Sequence, residues 1–187
     1  MRIVAGIVVA AIVLWVWGFI VWGFGPYQTA IWQAPSDAPA AGEVLKEHFP
    51  SNGVWFVPPN TGDTEQMSAA YEAGPVAFVH MMKVDGRPMM DASIMAKGFV
   101  HNLLVILCLA GLLLMLKKAL PTWGSRVLFG LVAGFTAAFL IDGGAVVWWQ
   151  YDLVWKLYMG IYDVSVYVIV CAVLGAFIPK GDATAQA

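Results

Sequence analysis

Residues 139–149 read FLIDGGAVVWW, a run that is typical of a membrane span except for one aspartate, Asp142. A charged side chain inside a bilayer is costly, so acids in membrane spans usually face a bundle interior or a water-filled cavity. A second acid, Asp163, lies in the next apolar run. The sequence therefore predicts a membrane protein that is organised around Asp142 and Asp163.

The composition of the whole chain indicates the same class of protein. Its 187 residues are 60% hydrophobic and 12% charged, whereas soluble domains average about 25% charged residues. The net charge of −2 argues against a nucleic-acid partner, because nucleic acid requires clustered Lys and Arg. Cys108 and Cys171 lack a CxxC spacing, so no disulfide framework is predicted. We expect membrane lipid, and either a membrane-protein partner or self-association, instead.

Four apolar runs are long enough for a transmembrane helix, which takes about 20 residues. The first run exceeds the ~7–15 apolar residues of a secretory signal peptide, so it is predicted to be an uncleaved anchor. Only Tyr151 and Asp152 separate the third run from the fourth, which predicts an antiparallel hairpin. The predicted spans are residues 3–24, 98–116, 126–150 and 153–178.

Residues 25–91 are polar and rich in proline. They are predicted to form helices at 41–49 and 64–73 and strands at 54–57 and 76–82. Because two strands need a surface to pack on, this unit is expected to cap the bundle. The predicted fold is an all-α four-transmembrane-helix bundle with a small α+β periplasmic cap between helices 1 and 2. Its divisions are 1–24 (helix 1), 25–91 (cap), 92–118 (helix 2), 119–150 (cytoplasmic loop and helix 3) and 151–187 (helix 4 and a short cytoplasmic tail).

The basic residues near the span ends predict the orientation of the chain, because Lys and Arg in short loops favour the cytoplasm. With four spans, this rule puts both termini in the cytoplasm and residues 25–91 in the periplasm of a bacterial inner membrane. That exported segment carries three basic and eight acidic residues, so it is acidic. The basic residues that fall on the cytoplasmic side are Arg2, Lys117, Lys118, Arg126 and Lys180.

The helical rise of ~1.5 Å per residue places the two acids ~10 Å and ~16 Å from the outer surface. Two carboxylates close together in low dielectric do not both stay ionised, so the pair is expected to share a proton. Other polar residues near this depth are expected to join them in one outward-facing pocket. The predicted pocket residues are His101, Asn102, Asp142, Tyr162, Asp163 and Tyr167.

A structural role for the same residues is the alternative. Buried acids often hold helices together through hydrogen bonds, and Gly130-xxx-Gly134 is an ordinary motif for close packing of membrane helices. Lys156, near the outer end of the fourth span, is predicted to extend to the interface or to pair with Asp152 or a partner.

A methionine-rich segment suggests a metal hypothesis. Thioether and imidazole groups together suit Cu(I), which makes a periplasmic copper site one reading of the segment. Methionine also fills irregular apolar gaps, and the spacing matches no specific motif. The candidate ligands are His80, Met81, Met82, Met89 and Met90.

The predicted topology resembles that of lipoprotein signal peptidase, a small four-span family with a cap after the first span. By this resemblance, Asp142 and Asp163 occupy the positions of catalytic aspartates on the third and fourth spans. The local sequences are Leu140-Ile141-Asp142-Gly143 and Ile161-Tyr162-Asp163-Val164. They lack the Asn, Arg and Ala that flank the family's aspartates, and the loop between the spans is much shorter, so the resemblance is one of topology.

Three functional hypotheses follow. The leading one is an integral inner-membrane binding or accessory/assembly module whose outward-facing pocket engages a lipid, a small ligand or a larger membrane complex. The second is a membrane-embedded hydrolase in which Asp142 and Asp163 act as an acid/base dyad on water. The third is a periplasmic copper-handling protein that uses the methionine-rich segment.

Overall fold

The computed structural model describes residues 1–179. It divides the chain into a helical unit, made of Met1–Gln33 and the described residues from 92 onward, and a small unit, Ala34–Asp91. The sequence predicts the first boundary after residue 24, but a π-helical turn, Tyr27–Ile31, follows the first helix and buries Tyr27. Lys180 and the predicted cytoplasmic tail lie outside the described residues.

The protein is mostly helical, with one small sheet. Two π-helical turns interrupt the helices, at Tyr27–Ile31 and at Phe139–Gly143. In chain order the elements are α1 (Arg2–Phe24), α2 (Ala38–His48), β1 (Gly53–Val57), α3 (Thr64–Ala73), β2 (Ala77–Met81), α4 (Ala92–Met115), α5 (Trp123–Ala138), α6 (Gly144–Trp149) and α7 (Leu153–Phe177).

Among residues 1–179, four helical segments are long and apolar enough to cross a membrane, the number that the sequence predicts. In the third, the π-helical turn Phe139–Gly143 joins α5 to α6 without breaking the helical path. These helices are consistent with a multi-pass membrane protein. The four segments are Arg2–Ile31, Ala92–Met115, Trp123–Trp149 and Leu153–Phe177.

The core of the helical unit lies where α7 packs against α1, α4 and α5. Side chains three, four and seven residues apart share one face of a helix, and the most buried residues follow that spacing. The other helix faces expose large apolar side chains, as expected for surfaces in contact with lipid. The central buried residues are Ala10, Leu14, Ile106, Leu113, Val170 and Leu174.

Two glycines on α5 let it approach α7 closely. A methyl group at Gly130 would lie 2.7 Å from the Tyr167 carbonyl oxygen. A methyl group at Gly134 would lie 2.8 Å from Tyr167 Cβ and 3.1 Å from Val164 Cα. The Gly130-xxx-Gly134 motif therefore packs within the chain, and the crossing of α5 and α7 requires it.

Arg126 connects the other end of α5 to the end of α7. Its side chain is 1% exposed, although the sequence predicts it only as a cytoplasmic charge. The last carbonyls of a helix lack partners within the helix, and here the guanidinium donates to them. Its hydrogen bonds run from Nε to Leu120 O (3.1 Å), from Nη1 to Gly175 O (2.9 Å) and Ile178 O (2.7 Å), and from Nη2 to Pro179 O (2.7 Å).

The small unit contains the antiparallel strands β1 and β2, with Trp55 opposite Val79. Its two helices begin at aspartates whose carboxylates accept backbone N–H groups, a common helix start. Asp37 caps α2 through Ala40 N, and Asp63 caps α3. The two-stranded sheet confirms the predicted strands.

We predict that Gly134→Ala lowers the free energy of unfolding by about 1–3 kcal/mol, because the added methyl group overpacks the contact with α7. Gly98→Ala is the matched control, since a Cβ at exposed Gly98 meets nothing within 4 Å. Denaturant unfolding in mixed micelles, followed by Trp fluorescence, measures both. Equal stability of the two variants would contradict the packing argument.

Candidate functional site

Asp142 lies on the π-helical turn Phe139–Gly143. Such turns insert an extra residue into a helix and are frequent at functional sites. Asp142 is only 4% exposed although it carries a carboxyl group. The turn therefore directs an acidic side chain into the helical unit, and Gly143 and Gly144 follow it without adding bulk.

Lys156, in the first turn of α7, is the ionic partner of Asp142. Its Nζ donates to Asp142 Oδ1 at 3.0 Å, and the two side chains are 12% and 6% exposed. Nζ also lies 5.1 Å from the centroid of the Tyr151 ring. A buried ion pair of this kind is strongly destabilised when one partner is removed, so Lys156 holds α7 against the π-helical turn.

This pairing differs from the sequence-based expectation for Lys156. Asp152, the partner considered from the sequence, instead caps α7, where its Oδ1 accepts the Trp155 N–H at 2.7 Å. The side chain of Lys156 is also too buried to extend freely toward an interface. The helical rotation that decides between these partners is not visible in the sequence.

Asp163 is the third member of the cluster. Its half-buried carboxyl lies near the Asp142 carboxyl and within electrostatic range of Lys156. Asp142 Oδ2 is buried, and none of the described residues donates a hydrogen bond to it. Two carboxyl groups and one ammonium group therefore meet inside the spans; we call these three residues the acid–lysine cluster.

Of the other four predicted pocket residues, Tyr162 lies within electrostatic range of Asp163. Tyr162 faces α1, with its ring 5.1 Å from that of Trp22. Tyr167 packs on the two glycines of α5. His101 is exposed and Asn102 half-buried on α4. Within residues 1–179 no hydrogen bond or ion pair joins either of them to the aspartates.

An apolar groove of about 830 Å³ runs beside the acid–lysine cluster, between the π-helical turn, α6 and α7. Among the described residues, charged or hydroxyl groups come to its wall only from Asp142, Lys156 and Ser165. The sequence predicted a pocket at the two aspartates but not the residues that line this groove. The available signal was a set of small residues, Gly143, Gly144 and Gly160, which leave space between the helices.

An aromatic cluster holds the N-terminal half of α7 against α1. Tyr158 donates from its hydroxyl to the Val21 carbonyl at 2.7 Å, and Trp17 donates from Nε1 to Ser165 Oγ at 2.7 Å. These contacts set the position of the α7 segment that carries Lys156 and Asp163. The clustered rings belong to Trp22, Tyr27, Trp32, Trp155, Tyr158 and Tyr162.

The methionine-rich segment is spread over different surfaces of the small unit. His80 and Met81 are adjacent on β2, and successive strand residues point to opposite faces. Met82, Met89 and Met90 are exposed. Across residues 1–179, no group of three or more His, Cys, Asp or Glu side chains is placed to hold a metal ion. The copper hypothesis stays a prediction.

Comparisons of the chain with protein-family models, with curated proteins and with solved structures gave no match.

We predict that Lys156→Met lowers the free energy of unfolding at neutral pH by about 3–5 kcal/mol, because it leaves Asp142 without its cation. Denaturant unfolding in mixed micelles at neutral pH measures this.

The control is Lys97→Met, which removes an exposed lysine from α4. A second comparison is the double variant Lys156→Met/Asp142→Asn, which removes both charges of the pair and should be more stable than Lys156→Met alone. If Lys156→Met behaved like Lys97→Met, the ion pair would have no structural role.

Proposed function

We propose that this chain is a multi-pass inner-membrane binding module. In this proposal the groove holds a hydrocarbon chain of a membrane amphiphile, and the acid–lysine cluster contacts its polar end. The observation that carries the proposal is the groove itself, which combines an apolar wall with one ionic cluster. Ligand sites are typically apolar cavities of this size with a few polar groups that orient the ligand.

The polar end of the groove supplies the selectivity in this proposal. Lipid tails are as apolar as leucine side chains, so burying a chain in the groove gains little over leaving it in the bilayer. Lys156 has three N–H donors; one is used by Asp142, and the contact to Met159 Sδ, at 3.8 Å, is weak. A donor therefore remains for the ligand. Because Asp142 already neutralises the ammonium charge, an uncharged oxygen such as an ester carbonyl is the preferred acceptor.

The orientation proposed for the module follows from the positive-inside rule. Arg2 and the pair Lys117-Lys118 mark one side of the spans as cytoplasmic. Both termini then lie in the cytoplasm and the small unit lies in the periplasm. The groove and the acid–lysine cluster, which lie near Trp149 and Asp152, then face the outer leaflet of a bacterial inner membrane. The ligand would be drawn from that leaflet.

A hydrolase remains the second candidate, because the Asp142 and Asp163 carboxyls do approach each other. In it, one carboxyl would be protonated and the other would activate water. Two observations weigh against this function. Asp142 Oδ1 is held by Lys156, and Oδ2 is sealed from solvent. Water would reach the dyad only after a rearrangement of the groove.

We predict that Gly144→Leu weakens lipid binding in the groove about tenfold, the effect of losing ~1.4 kcal/mol of binding free energy. Gly144 lines the groove, and a Cβ there meets only the Trp148 ring, at 3.9 Å, so the larger side chain fills the groove without disrupting the helix. Crosslinking of a photoreactive phospholipid to the full-length protein in nanodiscs, with mass spectrometry of the labelled peptides, measures binding.

Gly98→Leu is the control for this experiment, because Gly98 is exposed and lies outside the groove. Saturable labelling of groove peptides that drops only in Gly144→Leu supports the proposal. Equal labelling of the wild type and both variants would mean that the lipid is bulk bilayer. Crosslinks from groove peptides to a protein helix, rather than to lipid, would favour the assembly role and overturn the lipid-binding proposal.

A separate prediction distinguishes the binding module from the hydrolase. We expect Asp163→Asn to retain groove labelling by the photoreactive phospholipid, and we expect the wild type to show no acid-dependent cleavage of ester-linked lipid in nanodiscs. Mass spectrometry of the lipid before and after incubation measures cleavage. Cleavage by the wild type that disappears in both Asp142→Asn and Asp163→Asn would establish the dyad as catalytic instead.

A further inference from the structure

The acid–lysine cluster has an unequal number of charges. It contains two carboxyl groups, Asp142 and Asp163, and one ammonium group, Lys156. If all three were ionised, one negative charge would remain uncompensated between membrane-spanning helices. Charges in such places are expensive and are almost always paired. A single bound proton would make the cluster neutral.

The hydrogen-bond geometry indicates where that proton lies. Asp142 Oδ1 accepts from Lys156 at 3.0 Å. Asp142 Oδ2 is buried, and no described residue donates to it. A buried acceptor without a donor is rare in folded proteins, and the neighbouring polar group is the carboxyl of Asp163. Two carboxyl groups form a hydrogen bond only when one of them carries a proton.

Among residues 1–179, the groups around the pair supply no other compensating charge. On α7, the neighbours are Lys156 and the Tyr162 hydroxyl. The loop before α7 contributes the Tyr151 ring, which lies under the Lys156 ammonium. On α4, His101 and Lys97 are exposed. α1 presents aromatic rings, among them Trp22, which is uncharged.

We infer that Asp142 and Asp163 share one proton and form a proton-binding site beside the groove, whose wall includes Asp142. Asp142 stays paired with Lys156, and Asp163 donates through the shared proton to Asp142 Oδ2. When the proton leaves, Oδ2 loses its donor and the cluster gains one negative charge. The site therefore has two states. In the neutral state Oδ2 accepts the shared proton, and in the anionic state the extra charge is stabilised by contact with water.

The proton is linked to the contents of the groove, and this step alone rests on the proposed function. An amphiphile in the groove excludes water and so disfavours the anionic state. Ligand and proton then bind cooperatively, because a coupling between two sites is reciprocal. The sign follows directly: lipid occupancy is high when the pair is protonated and falls as the pH rises and the proton is lost.

Infrared spectroscopy of the full-length protein in nanodiscs tests the proton site without any added ligand. The C=O stretch of a protonated carboxyl group is recorded as the pH is raised from about 5 to about 9, a range over which exposed Asp and Glu are ionised. The wild type should show one such carboxyl per chain, whose band disappears as the pH rises. Its absence at every pH would overturn the inference, and this measurement depends on no variant.

Charge counting gives each variant a different expected band. Asp142→Asn and Asp163→Asn each leave one acid opposite Lys156, which is neutral without a proton, so both should lose the band. Lys156→Met leaves two acids without a cation, and its band should grow about twofold, because both acids then need protons for neutrality. Asp152→Asn is the control: this exposed acid only caps α7, so its band should match the wild type. A band that survives in both Asn variants would belong to another acid and would overturn the assignment.

The two proposals fail in distinguishable ways. A titrating band with no effect of Gly144→Leu on lipid labelling would leave the proton site standing and remove the lipid function. Lipid labelling that depends on Gly144 but not on pH would leave the lipid function standing and remove the coupling.

Discussion

The ion pair between Lys156 and Asp142 is the interaction on which the rest of the helical unit depends. In a membrane, either charge alone would carry a large free-energy penalty. That penalty is avoided only if the start of α7 and the π-helical turn at Phe139–Gly143 stay within about hydrogen-bond distance. The pair at 3.0 Å therefore specifies how α7 is rotated against the third span. Asp163 and the groove wall take their positions from that rotation.

The contact between the third span and α7 is fixed by specific groups at three points along its length. At one end, three hydrogen bonds from Arg126 hold the carbonyls of Gly175, Ile178 and Pro179, at and just after the end of α7. In the middle, Gly130 and Gly134 allow the two backbones to meet. At the other end, the ion pair closes the contact. Polar groups thus fix both ends of an apolar contact, and since hydrophobic burial does not drive helices together in lipid, these ends and the glycines determine the packing.

Much of the fold was predictable because it depends on length and composition. The span count follows from four long apolar runs, and the strands follow from residues such as Trp55 and Phe78 between turn signals. The importance of Asp142 and Asp163 was also predictable, because acids inside spans are costly wherever they point. The partner of Lys156 was not predictable, because the rotation of α7 decides whether its ammonium group meets Asp142 or Asp152. The π-helical turn and the groove were hidden for the same reason: both depend on which small residues face each other.

The surplus acid argues that the cluster does more than hold helices together. Asp142 and Lys156 already satisfy each other's charge, and a purely structural third partner for Asp142 Oδ2 need only donate a hydrogen bond. An Asn or Ser at position 163 would do so permanently, without a titrating group. Asp163 does so only while it holds a proton. The hydrogen bond to the buried Asp142 Oδ2 therefore depends on protonation. The pair lies beside an apolar groove. Whatever enters or leaves that groove therefore changes both the access of water to the pair and the cost of its charge.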